Sequence, residues 1–185
     1  MAHFFPDGNT GLPKELNCLE VNSVNDKAAQ IALSEVKPDL VLIYGTGLVK
    51  RKIFGLASIA AINCHGGKIP GYRGLDTNLW AAYEGNPHEM TVTLHQVDDS
   101  LDTGPIFLEQ AIRTPPDLNI HTLRYYTTLL VIEMLLKLVQ QFCDLPPMPK
   151  KQDTSLSQYY GPMPWLLKLK TDNFLRRYAA DSNAR

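Results

Sequence analysis

Two short, unbroken apolar runs constrain this chain most: residues 39–44 (Asp-Leu-Val-Leu-Ile-Tyr) and residues 59–63 (Ile-Ala-Ala-Ile-Asn). A run that brief, with no polar alternation, reads as a strand buried on both faces, and such strands need helices to cover them. The flanks supply those helices. Residues 25–35 carry apolar residues at helical spacing, and Lys37-Pro38 ends them. Gly45-Thr46-Gly47 forms a flexible loop after the first strand, and a short helix follows around residues 49–54. Strands alternating with helices predict an α/β domain.

Further along, Asp76 or Thr77 caps a helix reaching Glu84, with Gly85-Asn86 as its stop. Residues 90–97 read as an amphipathic strand with Met90, Val92 and Leu94 on one face. Residues 105–112 are its antiparallel partner. Asp117 or Asn119 caps a long helix to about residue 142, whose Ile120, Leu123, Leu130, Met134, Leu138 and Phe142 recur at helical spacing. Pro146, Pro147 and Pro149 end it. Residues 1–16 read as loop, and residues 166–178 as a final helix. At 185 residues the chain accommodates one domain, divided here into a body (1–150) and a tail (151–185).

A formal charge of −1 argues against a generic nucleic-acid binder. Cys18, Cys64 and Cys143 make neither a disulfide framework nor a zinc pattern, which fits a reducing cytoplasm. The first residues lack the basic-then-apolar order of a signal peptide. The apolar stretch at residues 129–136 is interrupted by Glu133, so it reads as a core helix and not a membrane span.

In open α/β sheets the ligand lies beyond the carboxyl ends of the strands. Gly45-Thr46-Gly47, Asn63-Cys64-His65 and the turn at Asp102-Thr103-Gly104 all follow strand ends, so they are expected to meet at one crevice. Strand periodicity puts Asn63 and His65 on the same side. Together the three turns offer an amide N–H for a developing oxyanion, an imidazole for a proton and a carboxylate to support it. Transfer of a small acyl unit to an amine needs those groups. Singly each has an ordinary use: Asn63 as a turn cap, His65 as a satisfied polar residue, Asp102 as a turn former. The combination carries the argument.

Residues 63–74, with Asn-x-His followed by Pro-x-Tyr-Arg-Gly, and residues 98–104, ending Leu-Asp-Thr-Gly, resemble the folate-dependent formyltransferase family. The resemblance runs from about residue 17 to 165. It implies a Rossmann-like catalytic domain with a partly parallel sheet, a C-terminal antiparallel hairpin and a long covering helix. It also implies an additional N-terminal segment, so that the chain reads as N-terminally truncated. By this resemblance Asn63, His65 and Asp102 are catalytic, 10-formyltetrahydrofolate is the formyl donor, and no metal is required. Gly45, Thr46, Gly47, Leu48 and Val49, with Gln96, Val97, Asp98 and Leu101, would bind the folate. Lys68, Tyr72, Arg73 and Gly74 would meet the acceptor.

The tail sequence Gln158-Tyr159-Tyr160-Gly161-Pro162-Met163-Pro164 is similar to an element of the sugar formyltransferases, which implies a nucleotide-linked amino sugar as the acceptor. Tyr72, Trp80 or Tyr160 could then stack on a base or pterin. A small-molecule amine partner, no membrane, and nucleic acid only as tRNA follow, with self-association left open. Alternatives are a methionyl-tRNA or glycinamide ribonucleotide formyltransferase, a truncated relative that binds folate without turnover, and an aspartic-protease reading of Asp102-Thr103-Gly104.

Overall fold

The computed structural model describes residues 17–183. Four strands form one mixed sheet: β1 (Leu40–Ile43), β2 (Ala60–His65), β4 (Thr91–Gln96) and β5 (Ile106–Ala111), ordered β1-β2-β4-β5. β1 and β2 run parallel, whereas β4 is antiparallel to both β2 and β5. The expected α/β domain and hairpin are therefore present. The expected loop at residues 1–16 lies outside the described residues.

α1 (Lys27–Val36) ends where Lys37 turns left-handed, with its N–H bonded to the Leu33 carbonyl, and Pro38 blocks continuation. α2 (Arg51–Phe54) crosses from β1 to β2. Ile43, Val49 and Ile53 join Leu33 of α1 in a small apolar cluster beneath that crossover. The first strand departs from expectation, because Leu42 of β1 is 45 % exposed. Among the described residues β1 pairs only with β2, at the end of the sheet, and the long helix lies over the other end.

β4 departs the other way. Its one-sided pattern predicted a half-buried strand, yet Thr91, Thr93 and His95 are buried along with Val92 and Leu94. β4 is central and covered on both faces, and most of its polar groups there are bonded, although the buried Thr91 hydroxyl has no partner among the described residues. Thr93 Oγ donates to the Gly67 carbonyl (2.7 Å), and Asn78 of α3 (Thr77–Tyr83) brackets the Thr91 backbone N–H and C=O (2.9 and 3.0 Å).

α4 (Ile120–Asp144) begins with a capping box. The Asn119 side chain accepts from the His121 and Thr122 N–H groups, while Thr122 Oγ accepts from the Asn119 N–H. Asn119→Ala should cost about 1 kcal/mol, read as a lower urea midpoint with unchanged slope. By length and composition α4 is apolar enough to cross a membrane. Leu123, Leu130, Val131, Met134 and Leu138 nevertheless form the heart of the main core, whereas Leu129, Ile132 and Leu136 lie exposed on the outer side.

After α4 the chain returns across the body. Lys150 exchanges both backbone hydrogen bonds with Ile106 (2.7 Å each). Residues Tyr159–Tyr160 (β6) then pair in parallel with Arg73–Gly74 (β3). α5 (Trp165–Asn183) closes the fold against α3, and Trp80 Nε1 donates to the Gly161 carbonyl (2.9 Å).

Candidate active site

The carboxyl ends of β1 and β2, the loop after β4 and the first turns of α4 enclose a crevice of about 1200 Å³. The three turns singled out from the sequence all line it. Asn63 and His65 share its floor as strand alternation requires. Asp102 reaches them from the β4–β5 connection, where its backbone takes a left-handed conformation (φ 52°).

The contacts are specific. Asn63 Nδ2 donates to Asp102 Oδ1 (3.2 Å) and faces His95 Nε2 (3.1 Å). The Gly74 N–H donates to Asp102 Oδ2 (3.0 Å), and His65 Nδ1 lies 3.6 Å from that same oxygen. His65 Nε2 sits 2.7 Å from the Tyr72 carbonyl. A carbonyl only accepts, so Nε2 carries the proton and Nδ1 turns its lone pair toward the crevice.

Electrostatics agrees with that assignment. Burial, the largest influence, lowers the pKa of His65 and outweighs the opposing pull of the Asp102 charge and the Tyr72 carbonyl; nearby His95 lowers it further. Burial also pushes Asp102 upward, but the neighbouring His95 and His65 and the Gly74 N–H more than offset it, leaving the carboxyl below its usual range. A neutral base therefore faces a carboxylate anion. Burial raises the Cys64 thiol to about 12, so it stays protonated between Asn63 and His65.

These shifts carry a sign for stability. Below an ordinary histidine pKa of about 6.5 the unfolded chain takes up a proton at His65 that the folded chain resists. Asp102 acts in the same direction further down, its contribution being lost as pH falls below the ordinary aspartate value of about 3.9 and through the lower folded value. Stability should thus fall as pH drops from 7 toward 5, and His65→Asn should flatten that slope. Urea midpoints across this range test it.

His95 was not among the residues chosen from sequence. It is 2 % exposed, and its Nδ1 lies 2.9 Å from the Gln96 carbonyl, which makes Nδ1 the donor and Nε2 the acceptor. Nε2 then receives one of the two Asn63 amide hydrogens. The usable signal was a lone imidazole on a Thr/Val/Leu strand seven residues before Asp102.

Of the nine residues expected to bind folate, Gly45, Thr46, Gly47, Leu48, Val49, Val97, Asp98 and Leu101 line the crevice, while Gln96 does not. The Asn25 side chain pins the first loop, donating to the Leu48 carbonyl (2.7 Å) and accepting from the Lys50 N–H (2.8 Å). Asp98 is taken up inside its own turn, accepting from Thr103 Oγ (2.8 Å) and the Ser100 N–H (3.1 Å).

Of the four acceptor residues, only Gly74 lines the crevice. Lys68 turns outward to Glu89 (2.9 Å). Tyr72 is buried, its hydroxyl on Glu84 (3.0 Å), and Arg73 is not part of the lining. Tyr72, Trp80 and Tyr160, expected to stack on a ligand, stack on one another instead, with centroids 5.3 and 5.4 Å apart. Asp102 is ringed by two imidazoles, an amide and a backbone N–H. Among the described residues no second carboxylate stands beside it, so the aspartic-protease reading would need a second copy of the chain to supply one. Nor do the described residues include a group of three His, Cys, Asp or Glu placed to hold a metal.

Residues 9–134 match the family described as formyl transferase. Methionyl-tRNA formyltransferase of Kosmotoga olearia is 32 % identical over 137 residues, which cover 71 % of this chain and 44 % of that protein. The Desulfotalea psychrophila enzyme of the same name is 38 % identical over 93 residues, covering 50 % and 28 %. The chain thus spans less than half the length of these relatives. Among solved structures, the formyltransferase PseJ from Anoxybacillus kamchatkensis, in complex with UDP-4,6-dideoxy-4-formamido-L-AltNAc and tetrahydrofolate, superposes with a TM-score of 0.58 at 23 % identity over 66 % of this chain and 64 % of that one. HypX from Aquifex aeolicus with tetrahydrofolic acid gives 0.59 at 20 % identity, over 83 % and 28 %. At such identities the likeness speaks for the fold.

Proposed function

The chain belongs to the formyl transferase family, and from that premise we propose that it moves a formyl group from 10-formyltetrahydrofolate to a primary amine. The observation that carries this reading is the cluster on the floor of the crevice in which Asn63 donates to Asp102 and His65 Nδ1 lies 3.6 Å from the same carboxylate. The crevice suits two substrates at once. Its volume of about 1200 Å³ exceeds the ~300–1,000 Å³ of a usual single small-molecule site. The glycine-rich loop at Gly45–Val49, with Val97 and Leu101, presents backbone groups and apolar side chains suited to a flat donor ring.

In the reaction the amine nitrogen bonds to the formyl carbon, and the carbonyl oxygen takes up negative charge. Asn63 Nδ2 donates to that oxygen. His65 Nδ1 accepts the proton the amine sheds, and the resulting imidazolium is stabilised by the Asp102 carboxylate. Collapse breaks the bond between the formyl carbon and the donor nitrogen, to which His65 returns the proton. His95 keeps Asn63 oriented across the floor.

For the acceptor we favour an amino sugar carried on a nucleotide, in line with the tail sequence at residues 158–164. The likeness to methionyl-tRNA formyltransferases supports a second reading, methionyl-tRNA as acceptor. The free thiols at Cys18 and Cys143, both exposed, suit a cytoplasmic setting.

The test incubates the purified chain with 10-formyltetrahydrofolate and an amine panel that includes nucleotide amino sugars, glycinamide ribonucleotide and methionyl-tRNA. Tetrahydrofolate release and product mass are followed. Turnover with one amine, abolished by His65→Ala in a folded protein, is the expected result. Saturable folate binding with no turnover on any amine would replace the enzyme with a binding protein.

A further inference from the structure

The turn that presents Asp102 is unfavourable on its own. Asp102 sits at φ 52°, where side chains other than glycine are disfavoured. Two residues on, Gly104 is wedged so tightly that a Cβ there would lie 1.8 Å from the Gln96 carbonyl oxygen. The Gln152 side chain reaches across and its Nε2 donates to both the Asp102 carbonyl (3.3 Å) and the Gly104 carbonyl. Those two acceptors fix the amide's orientation, since the reverse flip would set oxygen against oxygen.

That bond has a cost. Gln152 Oε1 is buried without a hydrogen-bond partner among the described residues. An orphaned buried acceptor is unfavourable and offsets part of what the two donated bonds contribute. Gln152 is anchored two residues earlier by the paired Lys150–Ile106 backbone bonds (2.7 Å). Eight residues later the same segment supports the other side of Asp102. The Tyr160 carbonyl accepts from the Leu75 N–H (2.9 Å), the Gln158 carbonyl from the Arg73 N–H (3.0 Å). Between them Gly74 donates to the Asp102 carboxylate, and a Cβ on Gly74 (φ +101°) would lie 2.2 Å from the Tyr160 carbonyl oxygen. All of these tail residues lie beyond the stretch, residues 9–134, that matches the family.

We propose that residues 150–160 form a strap that sets the geometry of Asp102, with Gln152 as its positioning residue. This rests on the reading of Asp102 as part of the reacting cluster. Gln152 touches no substrate. It holds the left-handed turn so that one carboxylate oxygen meets the Gly74 N–H and His65 while the other meets Asn63.

The test is Gln152→Met in the full chain, a replacement of similar length that removes both the donor and the orphaned acceptor. The expected result is a kcat reduced about ten- to a hundredfold, the scale of a small misplacement of a reacting group. KM for donor and acceptor stays within about twofold because uniform binding is untouched, and the thermal midpoint changes little, since removal of the orphaned Oε1 partly offsets the loss of a donor to the Asp102 and Gly104 carbonyls. Gln152→Lys, which can donate to both carbonyls and carries no acceptor, restores most of kcat. A second readout needs no activity: hydrogen exchange at the Gly74 amide, held by Asp102, speeds up in Gln152→Met and not in Gln152→Lys. Unchanged Gly74 exchange and unchanged kcat in Gln152→Met overturn the proposal, as does a loss of activity that only parallels a loss of stability. Faster Gly74 exchange in a chain that formylates no amine supports the strap and removes the catalytic reading on which it was placed.

Discussion

Asp102→Asn should lower kcat about 10²- to 10⁴-fold, the range associated with a crippled acid–base group, with little change in donor affinity. The substitution keeps the shape of the side chain, and the remaining carbonyl oxygen can still accept from the Gly74 N–H. What disappears is the charge. In the native site His65 Nδ1 and His95 Nε2 approach Asp102 at 3.6 and 3.5 Å, with no competing carboxylate among the described residues. The new amide must also present N–H groups toward Asn63 Nδ2, itself a donor, or toward the His65 lone pair, which it would occupy. The pH profile sharpens the prediction. Burial already lowers the pKa of His65, and the Asp102 charge is the main influence holding it up. Removing that charge lowers it further, so the acid limb of kcat/KM should move to lower pH. A limb that moves up, or a kcat within twofold of wild type, would show that Asp102 does not support the imidazolium.

How much of this was legible in the sequence depends on whether a residue acts through its own strand or through a distant one. Asn63 and His65 were readable because period-two alternation on a single strand fixes their common side. A helix cap at Asp117 or Asn119 and the stop at Lys37-Pro38 were readable for the same reason: they are local. The half-exposed face of β1 was not, because an apolar run records what a strand can bury and not how many neighbours it has. The one-sided pattern of β4 hides His95; only the sheet order shows that its second face is buried against Asn63 and Asp102. Tyr72 looked like a ligand-facing aromatic and turned out to pack on Tyr160, a partner 88 residues away. Gln152 carried no local signal, since its task is defined by two carbonyls on another loop. Long-range pairing is where sequence reading stops and the fold has to be seen.

Asn63→Ala is the second large effect, and its argument turns on hydrogen-bond counting. A side-chain amide has two N–H groups. In this structure one is directed to Asp102 Oδ1 (3.2 Å) and the other to His95 Nε2 (3.1 Å). For Asn63 to serve a developing oxyanion, one of these must be exchanged for the substrate oxygen as charge builds. The Asp102 contact is the better held, since the carboxylate is the stronger acceptor. The bond given up is the one to His95, a neutral ring whose Nδ1 stays anchored on the Gln96 carbonyl. Removing the amide should therefore cost about 3–4 kcal/mol in the barrier, or roughly 10²–10³ in kcat, as for other oxyanion donors. Donor binding should hardly change, because the lining at Gly45–Val49 and Leu101 is untouched. Asn63→Asp should be worse than alanine: it sets a second carboxylate against Asp102, and repulsion between them raises the pKa of one or both. His95→Gln provides the control, since it keeps an acceptor for Asn63 and should lower kcat far less than either. Stopped-flow measurement of tetrahydrofolate release, with folate affinity measured separately by calorimetry, separates these outcomes. If His95→Gln and Asn63→Ala fall by the same factor, the amide works by holding His95 and not by meeting the oxyanion, and the roles assigned across the floor of the crevice must be exchanged.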